Sequence, residues 1–293
     1  MKILILGVNG MIGHKLFYTL SQTDADVWGT IRKTKEDFAG IKLMQSPRII
    51  EQFNADDFFD VEKLIEETAP DVIINCIGIT KRKDELLDPI KAISINALMP
   101  HKLAQLCNDK SIRMIHFSTD CVFSGDSGSY NEDSIPNADD IYGKTKGLGE
   151  PVNNPACLTI RSSFIGRELC GKTELLEWFL SQAGKTIKGF TKAMYSGVST
   201  TFMSRIVSEI IFQHPDLWGL YQLAPEKPIS KYDLLCLAKK AFALEIDILA
   251  DNDFSSDKSL CGDKLKRAIG VCVPSWEEMF VELASEDIYN DCI

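Results

Sequence analysis

Tyr142 and Lys146 are the two residues of this chain whose types and spacing best suit proton transfer. Because they stand four residues apart in a segment with helical spacing, we expect both on one face of a helix that begins near Ile141. A lysine ammonium beside a phenol favours the phenolate, which lowers the phenol pKa from its ordinary value of about 10. Such a phenol can protonate a carbonyl oxygen during its reduction. Surface tyrosines and lysines often share this spacing, so the pair needs independent support.

That support comes from the strand one loop upstream. The sequence RMIHFST predicts a strand over residues 113–119, followed by Asp120. A hydroxyl at the carboxyl end of a parallel strand opens into the crevice where ligands of doubly wound sheets bind. Thr119 is therefore expected in the same site as Tyr142 and Lys146.

The segment ILILGVNGMIG (3–13) has the order strand, glycine-rich turn and helix. Its glycines, Gly7, Gly10 and Gly13, are spaced three apart. Such a turn lets the backbone approach a pyrophosphate, whose charge is stabilised at the N-terminus of the following helix. The spacing differs from the standard Gly-x-Gly-x-x-Gly, and a tight turn without a ligand is the alternative. The turn predicts a dinucleotide site.

The end of the second predicted strand indicates which dinucleotide. An acidic residue there would accept a hydrogen bond from the ribose 2′-hydroxyl, whereas a basic residue suits the 2′-phosphate of NADP. Arg32, followed by Lys33, therefore favours NADPH over NADH. A solvated Arg-Lys pair at the start of a charged loop is the other interpretation.

A parallel sheet is needed to position these residues. Buried apolar strands joined by helices long enough for crossovers predict an α/β fold with a doubly wound parallel sheet, a Rossmann fold. The predicted strands are 3–7, 27–32, 71–78, 113–119 and 158–163, and the predicted helices run to about 22, around 61–68, through 93–109 and from about 141.

After Ser163 the pattern changes to a smaller, α-rich part. Residues 1–163 are expected to form the NADP-binding domain and 164–293 the substrate-binding part, with 195–225 returning to the first domain. Ser230 is a suitable helix cap, and the tail from about Ser285 is polar and expected to fray. The predicted helices here are 175–182, 202–213, 231–244 and 276–286, with a strand at 219–225.

Composition excludes several classes of protein. No apolar run approaches the roughly 18 residues of a membrane span, and no signal peptide is evident, so we expect a cytoplasmic protein. The net charge of −10 disfavours a nucleic-acid surface. The nine cysteines lack Cys-x-x-Cys spacing and the four histidines lack metal-ligand spacing, so we expect free thiols and no metal site.

The order of the motifs resembles the extended short-chain dehydrogenase/reductase superfamily and, within it, the dTDP-4-dehydrorhamnose reductase family. Gly-x-x-Gly-x-x-Gly is the spacing that these extended reductases use. The resemblance covers nearly the whole chain, since YSGVSTTFMSRIV (195–207) and GLYQLAPEKPISKYDLL (219–235) also look like that family. The other matching motifs are GVNGMIG, NCIGIT, ISINALMPHKLA, STDCVFSG, YGKTKGLGE and TIRSS.

The resemblance implies roles for the residues that match. Tyr142 would protonate the 4-keto oxygen of a sugar, Lys146 would lower the Tyr142 pKa and bind the nicotinamide ribose, and Thr119 would hydrogen-bond the carbonyl. Asn96 is similar to the superfamily asparagine that holds a proton-relay water, with a buried helix-capping amide as the alternative.

The resemblance also implies cofactor and substrate contacts. Arg161 could face a nucleotide diphosphate or form a structural ion pair, and Thr200 or Thr201 could bind an anion or only cap a helix. The implied cofactor residues are Gly7, Asn9, Gly10, Met11, Ile12 and Gly13 around the pyrophosphate, Asp57 and Phe58 near adenine, and Cys76, Ile77 and Gly78 near the ribose. The candidate substrate residues are Thr119, Asp120, Phe164, Gly197, Thr200 and Arg161.

The implied function is NADPH-dependent reduction of the 4-keto group of a 4-keto-6-deoxy sugar nucleotide, for a deoxysugar of a surface polysaccharide. Two departures from the family pattern put the sugar in doubt: Cys121 stands where tyrosine is frequent, and Phe164 where tryptophan commonly contacts the sugar. A UDP-linked 2-acetamido-2,6-dideoxyhexulose is therefore a rival substrate. An epimerase or dehydratase, and a non-catalytic regulatory subunit, are the alternative functions. A homodimer is the default expectation for the assembly.

Overall fold

The computed structural model describes residues 1–81, 86, 88–171 and 173–286. Its strands, in chain order, are β1 (Lys2–Leu6), β2 (Asp26–Thr30), β3 (Ile49–Ile50), β4 (Val72–Asn75), β5 (Arg113–Ser118), β6 (Cys157–Arg161), β7 (Phe164–Ile165), β8 (Thr186–Tyr195), β9 (Val198–Ser199), β10 (Gly219–Gln222), β11 (Ile229–Ser230) and β12 (Asp247–Asp257).

The α-helices of the described residues are α1 (Met11–Leu20), α2 (Phe58–Thr68), α3 (Pro89–Ala92), α4 (Met99–Asp109), α5 (Ile141–Leu148), α6 (Leu175–Leu180), α7 (Thr200–Gln213), α8 (Lys231–Ala241), α9 (Asp263–Ile269) and α10 (Trp276–Ala284). A π-helix, Ile93–Leu98, joins α3 to α4, so the predicted helix over 93–109 is real but changes its winding partway along. Short 3₁₀ helices occupy Lys35–Phe38, Lys42–Gln45 and Asp120–Val122.

Seven of the described strands form one parallel sheet in the order β3-β2-β1-β4-β5-β6-β10. Both faces of this sheet are covered. Ile3 and Ile5 of β1 belong to one apolar cluster, while Leu4 and Leu6 belong to a second. Burial on both faces explains why the strand reads as an unbroken apolar run. The predicted doubly wound parallel sheet is confirmed.

The C-terminal part contains, besides helices, a three-stranded sheet that the sequence analysis did not predict. β8 pairs in parallel with β12 and antiparallel with β11. Most β12 residues are exposed or half-buried, and the sequence DILADNDFSSD is dominated by polar residues. Because the two long strands carry little apolar alternation and pair across some 60 residues, the local sequence offered little signal for them.

Two elements of the C-terminal half lie against the first half of the chain. β10 extends the central sheet beside β6, with Gly219 opposite Leu158. Helix α7 packs along α1, where the hydroxyls of Thr19 and Ser204 are 2.9 Å apart.

The helix caps confirm one prediction and correct another. Ser230 caps α8 by accepting a hydrogen bond from the Asp233 amide at 3.0 Å, as predicted. Helix α7 begins at Thr200, and its cap is Ser199, whose hydroxyl accepts from the Phe202 amide at 3.0 Å. Capping by Thr200 or Thr201 was therefore wrong, because a cap must precede the first helical residue.

The segment that follows α10 is more ordered at its start than its polarity suggests. The Glu286 side chain is only 8% exposed, and its carboxylate lies 2.7 Å from the ammonium of Lys15, a buried residue of α1. The Thr201 hydroxyl also donates to this carboxylate. The ion pair places Glu286 against α1, while 287–293, the rest of the tail predicted to fray, lie outside the described residues.

No helix in the described ranges is both long and apolar enough to cross a membrane. Eight cysteines fall within those ranges and none of them is in a disulfide, while Cys292 lies outside the described residues. Among the same residues, no group of three or more His, Cys, Asp or Glu side chains is placed to hold a metal ion.

Candidate active site

The candidate site lies at the sheet edge where the strand order reverses between β1 and β4. Leu6 of β1 is opposite Asn75 of β4, so the chain leaves the sheet at Gly7 on one strand and at Cys76 on its neighbour. In doubly wound sheets the crevice at this reversal, outside the carboxyl ends of the strands, binds ligands. The predicted glycine turn and the predicted ribose segment therefore flank one crevice.

Gly7 and Gly13 have clear structural reasons to be glycine. Gly7 has a φ of +86°, which side chains other than glycine rarely adopt. A Cβ on Gly13 would lie 2.2 Å from the Gly7 carbonyl oxygen, so α1 reaches its close approach to β1 only without a side chain there.

Gly10 has no such structural reason to be glycine, so it is the glycine that indicates a bound ligand. Its φ of −80° is open to any residue, and a Cβ would meet only the Gly7 oxygen, at an ordinary 3.5 Å. Gly10 is the N-cap of α1 and makes no side-chain cap hydrogen bond. The first-turn amides of α1 thus face the crevice edge without a covering side chain, an arrangement that fits a dinucleotide pyrophosphate.

The residues predicted near the adenosine half lie on neighbouring elements. Arg32 follows β2, beside the glycine turn, and its side chain is exposed. Asp57 is the N-cap of α2, where its carboxylate accepts from the Phe59 amide at 3.0 Å. Phe58 is half-buried, with the Lys102 ammonium 5.1 Å from its ring centroid. Capping accounts for Asp57 without a ligand, and its adenine contact stays a prediction.

Asn96 fixes the loop that follows β4. Its buried amide accepts from the Ile79 amide at 2.8 Å and donates to the Ile79 carbonyl at 3.0 Å and to the Thr145 hydroxyl at 3.3 Å. The π-helix positions this residue between the loop and α5, in keeping with the frequent use of π-turns at functional sites. Asn96 therefore fixes Ile79, the residue that follows the Cys76-Ile77-Gly78 segment, and its role at a relay water stays a prediction.

Thr119 and Tyr142 meet at the end of β5. The Thr119 side chain lies close enough to the Tyr142 phenol to lower its pKa. The Thr119 hydroxyl also donates to the Asp120 carboxylate at 3.0 Å and accepts from the Cys121 amide at 3.1 Å. Asp140 caps α5 by accepting from the Gly143 amide at 2.9 Å, which starts the helix where the sequence predicted. The structure thus brings together the predicted hydroxyl pair.

Lys146 lies one turn further along α5, on the same face as Tyr142. Its buried ammonium donates to the Phe117 carbonyl at 2.7 Å. Burial lowers the pKa of Lys146 to about 8, while Glu150 and Cys76 act in the opposite direction. The lysine is thus held against β5, two residues before Thr119.

The predicted lowering of the Tyr142 pKa is not what the described residues produce. Burial raises the pKa of the phenol, and Cys121 and Asp120 raise it further, while the hydrogen bond with Thr119 lowers it. Lys146 is directed at the Phe117 carbonyl. Tyr142 is therefore held in its protonated, proton-donating form, which is the form that reduction of a carbonyl requires.

Two glycines of α5 and its cap allow this close packing. A Cβ on Gly143 would lie 2.1 Å from the Cys121 carbonyl oxygen, and one on Gly149 would lie 1.8 Å from the Asn96 carbonyl oxygen. Glycine at both positions lets α5 approach the segment after β5 and the π-helix. The spacing YGKTKGLGE therefore encodes helix placement as well as chemistry.

The predicted substrate residues divide into two groups. Asp120 is buried beside Thr119, and the Phe164 ring meets the Phe117 ring edge to face at 5.5 Å, so both lie at the end of β5. Gly197 packs against the Tyr195 hydroxyl and the Ser163 carbonyl, and the buried Thr200 packs against Gly166. Packing explains Gly197 and Thr200, so their contact with a substrate stays a prediction.

Arg161 forms the structural ion pair that was one of its two predicted roles. Its Nε and Nη2 each lie 2.7 Å from an oxygen of Glu150. Both side chains are almost completely buried, at 3% and 4% exposure. The Glu150 carboxylate thus binds the Arg161 guanidinium. The structure therefore does not support the other predicted role of Arg161, a contact with a nucleotide diphosphate.

Sequence reasoning missed two charged residues of the site, Glu150 and Lys81. Glu150 continues the four-residue spacing of Tyr142 and Lys146, so helical periodicity contained a signal for it. The Lys81 ammonium lies 5.8 Å from the Tyr142 ring centroid and 2.6 Å from the Asp140 carboxylate. Lys81 reaches α5 across about 60 residues of chain, and no local pattern indicated it.

Comparison with known proteins adds family evidence to this geometry. A family model described as "RmlD substrate binding domain" matches residues 1–283. A probable low-salt glycan biosynthesis reductase of Haloferax volcanii is 27% identical over 263 residues, which cover 85% of this chain and 84% of that protein. The methionine adenosyltransferase 2 subunit beta of Xenopus tropicalis is 28% identical over 264 residues, covering 83% of this chain and 72% of that protein.

A solved structure with a similar fold is the dTDP-4-dehydrorhamnose reductase of Bacillus anthracis in complex with NADP. Its TM-score is 0.79 at 19% sequence identity, with 96% of this chain and 98% of that chain covered. At this identity the likeness concerns the fold.

Proposed function

Since the chain belongs to the family of the RmlD substrate binding domain, we propose that it reduces the 4-keto group of a 4-keto-6-deoxy sugar nucleotide with NADPH. The observation that carries the proposal is that Thr119, Tyr142 and Lys146 lie together at the carboxyl end of β5. The similar fold of a reductase in complex with NADP supports the choice of reaction and cofactor.

The proposed cofactor site combines the glycine turn with the loop after β4. Gly7, Gly10 and the first turn of α1 would hold the pyrophosphate, and Arg32 would face a 2′-phosphate. Cys76, Ile77 and Gly78, which directly precede Ile79, would line the nicotinamide ribose side. In this proposal residues 1–163, with 195–225, form the cofactor-binding domain.

When bound, the dinucleotide supplies the hydride that reduces the sugar carbonyl carbon. Tyr142 then donates its hydroxyl proton to the 4-keto oxygen, so that the carbonyl becomes a secondary alcohol. Thr119 hydrogen-bonds the same oxygen and orients it. Lys146, held at the Phe117 carbonyl one turn along α5, would bind the nicotinamide ribose.

The test is to incubate the protein with NADPH and a panel of dTDP- and UDP-linked 4-keto-6-deoxy sugars, with NADH as a parallel cofactor. We expect loss of NADPH absorbance and a product heavier by two hydrogens with one nucleotide series. A UDP-linked 2-acetamido substrate in the panel examines the rival suggested by Cys121 and Phe164. An epimerase would change the sugar without consuming NADPH.

A second candidate function is supported by the relative from Xenopus tropicalis, whose name describes a subunit of another enzyme. In that case the chain would bind the dinucleotide and a partner without reducing a sugar. The intact set of Thr119, Tyr142 and Lys146 favours the reductase. No NADPH consumption with any member of the panel, together with a stable partner complex, would decide for the subunit.

A further inference from the structure

Helix α5 and the residue after its cap contact β5 through three residues spaced by four. Tyr142 lies beside Thr119, the residue that follows β5. Lys146 donates to the Phe117 carbonyl at 2.7 Å, and Glu150 accepts from the Ser118 hydroxyl at 2.5 Å. The helix is therefore attached to three consecutive residues at the end of β5. Glu150 is the member of this row without a part in the proposed chemistry.

Glu150 is also the point where α5 is fixed to the next strand. Arg161 of β6 binds both of its carboxylate oxygens, each at 2.7 Å, and the pair is almost completely buried. A bidentate pair between planar groups fixes orientation as well as distance. The adjacent Gly149 packs so closely on the π-helix that a Cβ there would lie 1.8 Å from the Asn96 carbonyl oxygen.

We propose that Glu150, held by Arg161, is a positioning residue that sets the place and the charge of Lys146 and, through α5, the place of Tyr142. This inference rests on the proposed reductase function. Glu150 need not touch substrate or cofactor, since it acts through the lysine one turn away.

Three titratable groups of the described residues face the Lys146 ammonium: Glu150 beyond α5, Cys76 after β4 and His116 in β5. Burial raises the pKa of the Cys76 thiol far above its usual range and lowers that of His116 well below it. Both groups are therefore uncharged at neutral pH. Glu150 is the carboxylate among the three, and it opposes the effect of burial on Lys146.

The test is the pH dependence of Lys146 in Glu150→Gln, with Glu177→Gln as the matched control. Glu177 is also a buried carboxylate paired with an arginine, Arg167, but it lies in α6. The first readout is the rate of Lys146 acylation by acetic anhydride against pH, followed by mass spectrometry, with the exposed Lys144 as internal standard. The second is the alkaline limb of kcat in the reduction assay.

We expect the midpoint of Lys146 acylation, near pH 8 in the natural protein, to fall by one unit or more in Glu150→Gln. The alkaline limb of kcat should move with it, so that kcat at pH 8 drops about fivefold for a fall of one unit and about fiftyfold for a fall of two. Glu177→Gln should leave both midpoints unchanged. Equal loss of stability in the two variants with unchanged midpoints would reduce Glu150 to a purely structural role.

A second variant protects the test against misfolding of the first. Replacing both members of a buried ion pair by neutral residues is often tolerated, whereas removing one leaves a buried charge. Glu150→Gln/Arg161→Met should therefore fold and show a smaller fall of the acylation midpoint. An unchanged midpoint in this variant would overturn the proposal. If the natural protein reduces no sugar nucleotide while the acylation shifts are found, the reductase function fails and the positioning role stands.

Discussion

Substitutions at Gly10 and Gly13 should separate cofactor binding from folding. Gly10→Ser places a good helix-capping residue at an N-cap whose φ of −80° it can adopt, where the added Cβ meets only an ordinary 3.5 Å contact. Serine at an N-cap is favoured over glycine by a few tenths of a kcal/mol, and loss of glycine reduces the freedom of the unfolded chain. We expect the free energy of unfolding to stay level or rise by up to about 1 kcal/mol.

The same substitution should weaken NADPH binding. The serine hydroxyl would accept a hydrogen bond from a first-turn amide and would occupy the space that the pyrophosphate needs. We expect the dissociation constant to rise at least about tenfold, which is about 1.4 kcal/mol.

Gly13→Ala is the matched contrast. Its Cβ would lie 2.2 Å from the Gly7 carbonyl oxygen and 3.0 Å from the Val8 Cα, and these backbone atoms cannot turn aside as a side chain can. Overpacking of this kind costs about 1–3 kcal/mol. Gly13→Ala should therefore lower the free energy of unfolding. We expect it to weaken NADPH binding as well, because α1 would be displaced.

The assay is urea unfolding of both variants together with NADPH titration by nucleotide fluorescence. We expect Gly10→Ser to keep its free energy of unfolding and to lose NADPH affinity. Gly13→Ala, by contrast, should lose free energy of unfolding. Gly10→Ser that binds NADPH as tightly as the natural protein would refute the assignment of Gly10 to the cofactor. Equal destabilisation of the two variants would refute the packing argument.

Three further predictions concern ionisable groups. Tyr142→Phe should lower kcat by about 10²–10⁴-fold and leave the NADPH affinity unchanged. The control Tyr232→Phe, in α8, should have no effect. A normal kcat in Tyr142→Phe would show that the tyrosine is not the proton donor. Between pH 8 and 10.5 the unfolded chain retains the Lys146 proton that the folded protein has released. We therefore expect the natural protein to gain unfolding free energy relative to Lys146→Met as the pH rises through that window, by up to about 1.4 kcal/mol per pH unit. A difference between the two proteins that does not change with pH in urea titrations would contradict the burial of the lysine. Burial lowers the pKa of His14 to about 4 from 6.5, so the unfolded chain binds its proton first as pH falls. Stability relative to His14→Gln should fall from pH 6.5 to 4 in the same titrations, and a constant difference would count against the burial of His14.

The central sheet was predictable because its strands are buried on both faces. Ile3 to Leu6 read as one apolar run, and glycine follows where the chain leaves the sheet. The second sheet was not predictable in this way. Residues of β8 and β12 are mostly exposed or half-buried, so the pairing of Ile187 with Ile248 is decided by contacts some 60 residues apart.

The candidate site shows the same division. The face of Tyr142 and Lys146 follows from helical periodicity, and the place of Thr119 follows from the end of a parallel strand. The predicted direction of the Tyr142 pKa shift was wrong. Helical periodicity places side chains on one face of a helix, but it does not say where the Lys146 ammonium points or which side chains lose their contact with water. The partner of Arg161 likewise depends on a contact between β6 and Glu150, the residue after the α5 cap, which no local pattern indicates.

The buried pair of Lys15 and Glu286 bears on the order in which the protein is completed. The two residues are separated by 271 positions, so during synthesis α1 leaves the ribosome long before its partner carboxylate exists. Contacts between residues so far apart in the sequence form late, because closing the long loop between them costs conformational entropy. Until then the Lys15 ammonium lacks this carboxylate. The Lys15 side chain therefore reaches its final, paired state only after the residues that follow α10 have been made.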